Sequence, residues 1–189
     1  MKENIGFGIC GSFCTFEKIF EVLKKLVEQE YNIFPVMSFS ASKTDTRFGE
    51  AKNNIRKIED ICSKKAILDI KDAEPIGPQK LFDILVVAPC TGNTLGKLAA
   101  GIADTPVTMA VKAHLRNQRP VLIGVSTNDG LSTSAKNIGE LLNRKNIFFI
   151  PMRQDDSVNK PLSIVADFNK TEEAIKKALE FKQIQPIYN

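Results

Sequence analysis

Four clusters of small hydroxyl and amide side chains each follow an apolar run: Gly11-Ser12, Ser38 to Ser42, Pro89-Cys90-Thr91-Gly92-Asn93-Thr94 and Ser126-Thr127-Asn128. Together they offer many O–H and N–H donors and little charge. Such a set suits a phosphate or carboxylate on a flat organic ligand better than it suits a metal ion, which needs deprotonated ligands. Cys10, Cys14, Cys62 and Cys90 form no CxxC pair, and His114 is the single histidine, so neither a disulfide framework nor a zinc site is expected. Cys90 has two readings. Next to a helix N-terminus a thiol would become a better nucleophile, and in a packed loop it would serve as a small hydrophobe, the more usual state of a free cysteine. Cys10 and Cys14, flanking the first loop, are read the same way.

The elements that must carry these clusters follow from periodicity. Asp83 to Asp104 organises the chain: the apolar run Ile84 to Ala88 reads as a buried strand, Pro89 to Thr94 as a polar elbow, and Leu95, Leu98, Ala99 and Ile102 as the apolar stripe of a helix. In an open α/β sheet, ligands sit beyond the carboxyl ends of the strands, where helix N-termini present unpaired N–H groups. Asn4 to Cys10 is another strand, followed by Phe16, Ile19, Phe20, Leu23, Leu26 and Val27 at helical spacing. Gly6, Gly8 and Gly11 approach a G-x-G-x-x-G pattern. However, the next strand, Asn32 to Phe39, ends in serines rather than in the acidic residue that grips a ribose. The first loop is therefore read as a phosphate site and not as a dinucleotide fingerprint; close packing has a comparable claim on Gly6 and Gly8.

Further along, Ile55, Ile58, Ile61 and Cys62 mark a helix, Ala66 to Ile70 reads as a short strand, and Asp72 to Lys80 as a turn-rich connector. The stretch around Phe48 and Gly49 lacks periodicity and is either a ligand-covering loop or a plain surface connection. Pro106 suits a first helical turn, and His114, with Lys112 and Arg116, reads as a helix-end cation. Val121 to Val125 and Asn146 to Ile150 are strands, Gln154 to Pro161 an irregular segment, Ala174 to Phe181 a helix and Gln185 to Asn189 an extended tail. Strands alternating with helices give a three-layer α/β fold, Rossmann-like or flavodoxin-like, with a parallel sheet and helices on both faces. The 189 residues form one domain, 1–189, with 152–189 as an extension carrying a helix.

Composition narrows the function classes. Twenty-six Lys and Arg are interspersed with 22 Asp and Glu, without a basic block interleaved with aromatics, which argues for a solvated surface and against nucleic acid. No apolar run approaches the roughly 20 residues of a membrane span. The N-terminal MKENIGFGIC has one Lys and no signal-peptide h-region, so a cytoplasmic location is expected.

Pro89, Asn93, Thr94, Lys97, Leu98, Ala99, Gly101, Ile102, Ala103 and Asp104 resemble the PASANT-type loop of flavin mononucleotide-binding flavoproteins of the cysteine decarboxylase class. The resemblance spans roughly Asn4 to Pro151. It implies FMN as cofactor, with Gly11, Ser12, Ser38, Ser40, Pro89, Cys90, Thr91, Asn93, Thr94, Ser126, Thr127 and Asn128 as its binding residues, in homo-oligomers that are trimers or multiples of them. Two departures speak against decarboxylation. IGPQKLFD lacks the catalytic histidine of that class, and Ser126-Thr127-Asn128-Asp129 replaces its Pro-x-Met-Asn clamp. RPVLIGVSTNDGL, NIGELLNRKNIFFIPM, QDDSVNKP and PIYN resemble instead the B-subunit family of dipicolinate synthases. That resemblance implies oxidation of a dihydro- or tetrahydrodipicolinate-type precursor in endospore formation, in the mother cell, with the synthase's nicotinamide-binding A subunit supplying NAD(P). Lys97, Arg47 and Lys43 are candidate partners for the two carboxylates, and Lys97 reads also as a solvated charge. Catalytic residues are not identifiable from sequence. An independent FMN-dependent oxidoreductase or decarboxylase, and a non-catalytic assembly component, are the alternatives.

Overall fold

The computed structural model describes residues 2–189. Its first unit is β1 (Asn4–Ile9), a short 3-10 turn (Phe13–Thr15) and α1 (Phe16–Glu28), followed by β2 (Asn32–Met37). Then come α2 (Phe39–Lys43), α3 (Ala51–Cys62), α4 (Ile70–Ala73) and the strand β3 (Ile84–Cys90). Helices α5 (Gly92–Ala99) and α6 (Pro106–Leu115) lead to β4 (Val121–Thr127), α7 (Ala135–Leu142) and β5 (Ile147–Phe149). Two strands, β6 (Met152–Asp156) and β7 (Lys160–Ala166), precede α8 (Thr171–Leu179).

Every residue of β3 is buried, as expected for a central strand covered on both faces. Its side chains alternate. Ile84, Val86 and Ala88 join the core made with Phe16, Phe20 and Leu23 of α1, Ile58 of α3 and Ile175 of α8. Leu85 and Val87 join the core made with Leu95 of α5, Val107 and Val111 of α6 and Leu141 of α7. Helices therefore cover both faces of the sheet. Gly6 is a packing glycine: a Cβ there would lie 2.3 Å from the Phe82 ring. Pro106 occupies the first turn of α6, where Thr105 and Thr108 cap one another. Thr108 N donates to Thr105 Oγ1 at 3.2 Å and Thr105 N to Thr108 Oγ1 at 3.0 Å.

The sheet is mixed, not parallel throughout. Its order is β2-β1-β3-β4-β7-β6, with β5 also on β4. Parallel pairing links β2, β1, β3, β4 and β5, with strand order reversing beside β1 and β3. β4 is longer than β5. Its first half pairs with β5 through Val121, Leu122 and Ile123, and its last residues, Ser126 and Thr127, pair antiparallel with Val165 and Ile164 of β7. The segment expected to be irregular is thus a hairpin, whose turn is pinned by Asp156 Oδ1 accepting from Val158 N and Asn159 N. It escapes pattern reading because β6 is polar and exposed beyond Met152, while β7 is exposed in its first half and buried throughout its second, so neither alternates. Residues 66–70 do not form a strand; a single bridge joins Ile67 to Val36, and the chain then enters α4. The connector from Asp72 to Lys80 is turn-rich as expected: it takes in the last residues of α4, a 3-10 turn, Glu74–Ile76, and the turn at 77–80. The C-terminal tail is extended, and its Tyr188 bridges to Met152.

Candidate functional site

Because β1, β3 and β4 are parallel, their carboxyl ends share one edge, and the loops leaving them meet over a cavity of about 760 Å3. Its floor is lined by Gly11 and Ser12 after β1, Thr91, Gly92 and Asn93 after β3, and Ser126, Thr127 and Asn128 at the end of β4. Ser12 Oγ and Ser126 Oγ are hydrogen-bonded at 2.8 Å although 114 residues separate them. Ser38 and Ser40 stand one step outside this floor. Their hydroxyls are 3.0 Å apart, Ser38 accepts from Ala41 N as the cap of α2, and Ser40 Oγ lies 2.8 Å from where a Cβ on Gly11 would sit. Gly11 therefore leaves room for the serine beside it.

Thr91 caps α5, its Oγ1 accepting from Thr94 N at 3.4 Å. The first N–H groups of a helix have no intrahelical acceptor, so those of Gly92 and Asn93, two residues that line the cavity, are donors without a partner in the helix. Gly92 is hemmed in. A Cβ there would fall 2.6 Å from Asp129 Oδ1 and Ser134 Oγ and 2.7 Å from Thr127 Oγ1. Thr127 Oγ1 in turn donates to Asp129 Oδ1 at 2.5 Å, which fixes the β4 elbow.

Three of the named residues lie beneath the floor instead of in it. Pro89, Cys90 and Thr94 are buried, with Pro89 O accepting from Cys10 N at 3.1 Å and Thr94 Oγ1 donating to Cys10 Sγ at 3.3 Å. β3 continues to Cys90, so that cysteine is a strand residue and not the start of a helix. Burial pushes its thiol well above the ordinary value, the opposite of an activated nucleophile. Cys10 is equally buried, and Cys14 is exposed on the cavity wall.

The charged residues are redistributed as well. Lys97 is bonded to Asp104 at 2.8 Å and Lys43 Nζ lies 4.4 Å over the Phe39 ring; neither lines the cavity. Arg47 does, together with Lys18 of α1 and Lys160 of the hairpin, which the sequence did not single out. The hairpin adds Asp155, Ser163, Ile164 and Val165 as one wall, bonded to the β4 end that carries Ser126. Only long-range antiparallel pairing brings it there, and no local pattern signals that.

His114 is no helix-end cation. It is 1% exposed, and its Nε2–H donates to Pro120 O at 3.1 Å. Burial, the largest influence, depresses its pKa to about 4, so the ring is neutral. It sits at the opposite edge of the sheet from the cavity. No group of His, Cys, Asp or Glu among the described residues is arranged to hold a metal ion. No helix among them is long and apolar enough to cross a membrane.

A doubly wound sheet with neutral donors gathered at one edge defines a class that the comparisons specify. The chain belongs to the flavoprotein family, whose model, described as Flavoprotein, matches residues 1–182. It is 46% identical to the B subunit of dipicolinate synthase from Bacillus subtilis strain 168, across 98% of this chain and 92% of that protein. The crystal structure of the dipicolinate synthase B subunit from Bacillus halodurans superposes with a TM-score of 0.90 at 40% identity, covering 99% of this chain and 96% of that one. The FMN-dependent cysteine decarboxylase SpaF shares the fold, with a TM-score of 0.67 at 23% identity over 94% of this chain and 95% of that one.

Proposed function

We propose that this chain is the B subunit of a dipicolinate synthase, and that its crevice holds flavin mononucleotide beside a cyclic dicarboxylate. The observation that carries the reading is the Ser12–Ser126 contact in the floor of a cavity of about 760 Å3, a size suited to a small organic ligand. The similarity to the two B subunits supports it. The donor set fits a flavin phosphate: hydroxyls of Ser12 and Ser126, the first-turn N–H groups of Gly92 and Asn93, and the amide of Asn93. Phe13, Ile164 and Val165 add an apolar wall for a flat ring system.

Bound flavin supplies acceptance of an electron pair from a ring C–H. Converting a dihydro precursor to pyridine-2,6-dicarboxylate removes one hydride and one proton. Of the carboxylates that line the cavity, Asp155 is paired with Lys160, which leaves Asp129 as the group assigned to take up that proton or pass it to water. Thr127 holds the Asp129 carboxylate in place, and the hairpin shields one side of the crevice. The synthase's A subunit, a nicotinamide-binding protein, would be the partner that supplies NAD(P) as the final acceptor of that same electron pair. The chain acts as a homo-oligomer, a trimer or a multiple of one, in the cytoplasm of the mother cell of a sporulating bacterium.

Co-expression with the partner protein, followed by a dipicolinate assay with each of the two omitted in turn, tests this. Product forms with both present and is lost without this chain; equal formation without it overturns the reading. Retention of stoichiometric FMN by the purified chain tests the cofactor separately.

A further inference from the structure

Between α2 and α3 the chain closes into a tight turn that lifts two residues over the crevice. Thr46 N donates to Gly49 O and Gly49 N to Thr46 O, each at 3.0 Å, and Phe48 N donates to Thr46 Oγ1 at 3.1 Å. Asp45 Oδ1 accepts from Ala51 N at 2.8 Å and ties the base of the turn to the start of α3. Gly49 has φ +132°, a conformation that side chains other than glycine's disfavour. The residues around the tip thus serve to present Arg47 and Phe48, both of which line the cavity.

Neither tip residue is explained by the fold. Phe48 is 48% exposed, although a ring of that size ordinarily seeks cover. The Arg47 guanidinium rests 4.9 Å from its centroid and forms no ion pair among the described residues. Lys160, across the same cavity, is already bonded to Asp155 at 2.7 Å. A half-exposed aromatic ring with an unpaired planar cation resting over it can rearrange to complement a flat ring that carries a carboxylate in its own plane.

We propose that the Arg47–Phe48 turn determines substrate specificity: Phe48 packs against the flat face of a heterocyclic dicarboxylate, and Arg47 takes one of its carboxylates through two parallel N–H···O bonds. The inference rests on the reading of the crevice given above and adds the residues that choose its substrate. The guanidinium leaves the Phe48 face when the ligand arrives, because a bidentate pair with a carboxylate is stronger than a cation–π contact at an exposed site. The phosphate of the flavin is served by the neutral floor and does not need Arg47.

Calorimetric titration with pyridine-2,6-dicarboxylate and with pyridine-2-carboxylate, on the FMN-loaded chain and its variants, tests the assignment. Arg47→Gln weakens dicarboxylate binding about tenfold, the equivalent of ~1.4 kcal/mol, and narrows its preference over the monocarboxylate. Phe48→Ala weakens both ligands alike. Lys43→Gln, outside the cavity, changes neither, and FMN affinity stays within about twofold throughout, as expected for changes on an exposed turn. Dicarboxylate affinity in Arg47→Gln equal to that of the wild type overturns the proposal, as does a parallel loss of FMN, which would make Arg47 a phosphate ligand. A wild-type chain that binds FMN but no dicarboxylate overturns it while leaving the cofactor reading intact. One that binds neither removes the functional reading itself.

Discussion

The two ends of the sheet are built from similar polar residues and use them in opposite ways. At the amino end, side-chain donors are spent on main-chain carbonyls. His114 donates to Pro120 O, Asn117 to Gly77 O at 2.7 Å, Asn146 to Gln118 O at 3.0 Å, and Arg119 reaches Lys80 O at 3.2 Å. At the carboxyl end, hydroxyls bond to other side chains, as in Ser12–Ser126, Ser38–Ser40 and Thr127–Asp129, and the first-turn N–H groups of α5 have no partner within the helix. A buried carbonyl lacking its donor costs about 1–3 kcal/mol, whereas two hydroxyls that satisfy each other exchange partners readily. Changes at the amino end should therefore lower stability and spare binding, and changes at the carboxyl end should do the reverse.

The largest break in that contrast comes from His114. Its pKa in the fold is about 4, below the ordinary histidine value, so the native state resists a proton that the unfolded chain accepts. Stability is complete above about pH 6.5 and falls as the pH drops toward 4, by up to about 3 kcal/mol. Urea unfolding from pH 7.5 to 4.5 should show the decline, and His114→Gln should remove most of that slope while leaving FMN affinity at pH 7 unchanged. A wild-type profile as flat as that of the variant would contradict the buried neutral ring.

Arg144 offers a smaller test on the helix that serves both ends. Its guanidinium donates to Leu98 O at 3.0 Å and Ala99 O at 2.5 Å, closing the carboxyl end of α5, whose amino end carries Thr91, Gly92 and Asn93. Arg144→Met should lower the free energy of unfolding by about 1 kcal/mol, reduced from the usual value for a charged donor because the side chain is 40% exposed. FMN affinity should hold. A loss of cofactor equal to that of a floor mutant would mean that α5 moves as a unit and that the two ends are not separable.

The sequence made some of this contrast legible and hid the rest for identifiable reasons. The runs Ile84 to Ala88 and Val121 to Val125 are uninterrupted and apolar, the signature of strands covered on both faces, and their polar elbows mark the edge where loops converge. Which elbow residues face the cavity was not legible. β3 extends past the apolar run to Cys90 through a register shift against β4, so Pro89 and Cys90 are buried with the strand, and Thr94, on the first turn of α5, is buried against Cys10. His114 sits among Lys112 and Arg116 in sequence, yet the helix buries it against Phe82, with ring centroids 6.3 Å apart. The hairpin wall and Lys160 depend on β7 meeting Ser126 and Thr127, a pairing between segments almost 40 positions apart that no local period encodes.

The finest test lies in the floor itself. Ser12→Ala and Ser126→Ala each remove one half of the 2.8 Å contact, and each leaves the other hydroxyl facing a cavity where water can replace its partner. Unfolding free energies should therefore change by no more than about 0.5 kcal/mol, far less than for a donor taken from a buried carbonyl. Binding should respond more: each variant should weaken FMN about fivefold, since a neutral hydroxyl donor to a charged phosphate is worth somewhat less than a tenfold factor. The double variant is the decisive member of the set. If both hydroxyls meet the same phosphate while bonded to each other, the second substitution costs less than the first, and the cycle returns a coupling of about 0.5 kcal/mol or more. Strict additivity would place the two serines on separate parts of the ligand, and a double variant that loses stability rather than affinity would make the carboxyl end a structural seam like the amino end.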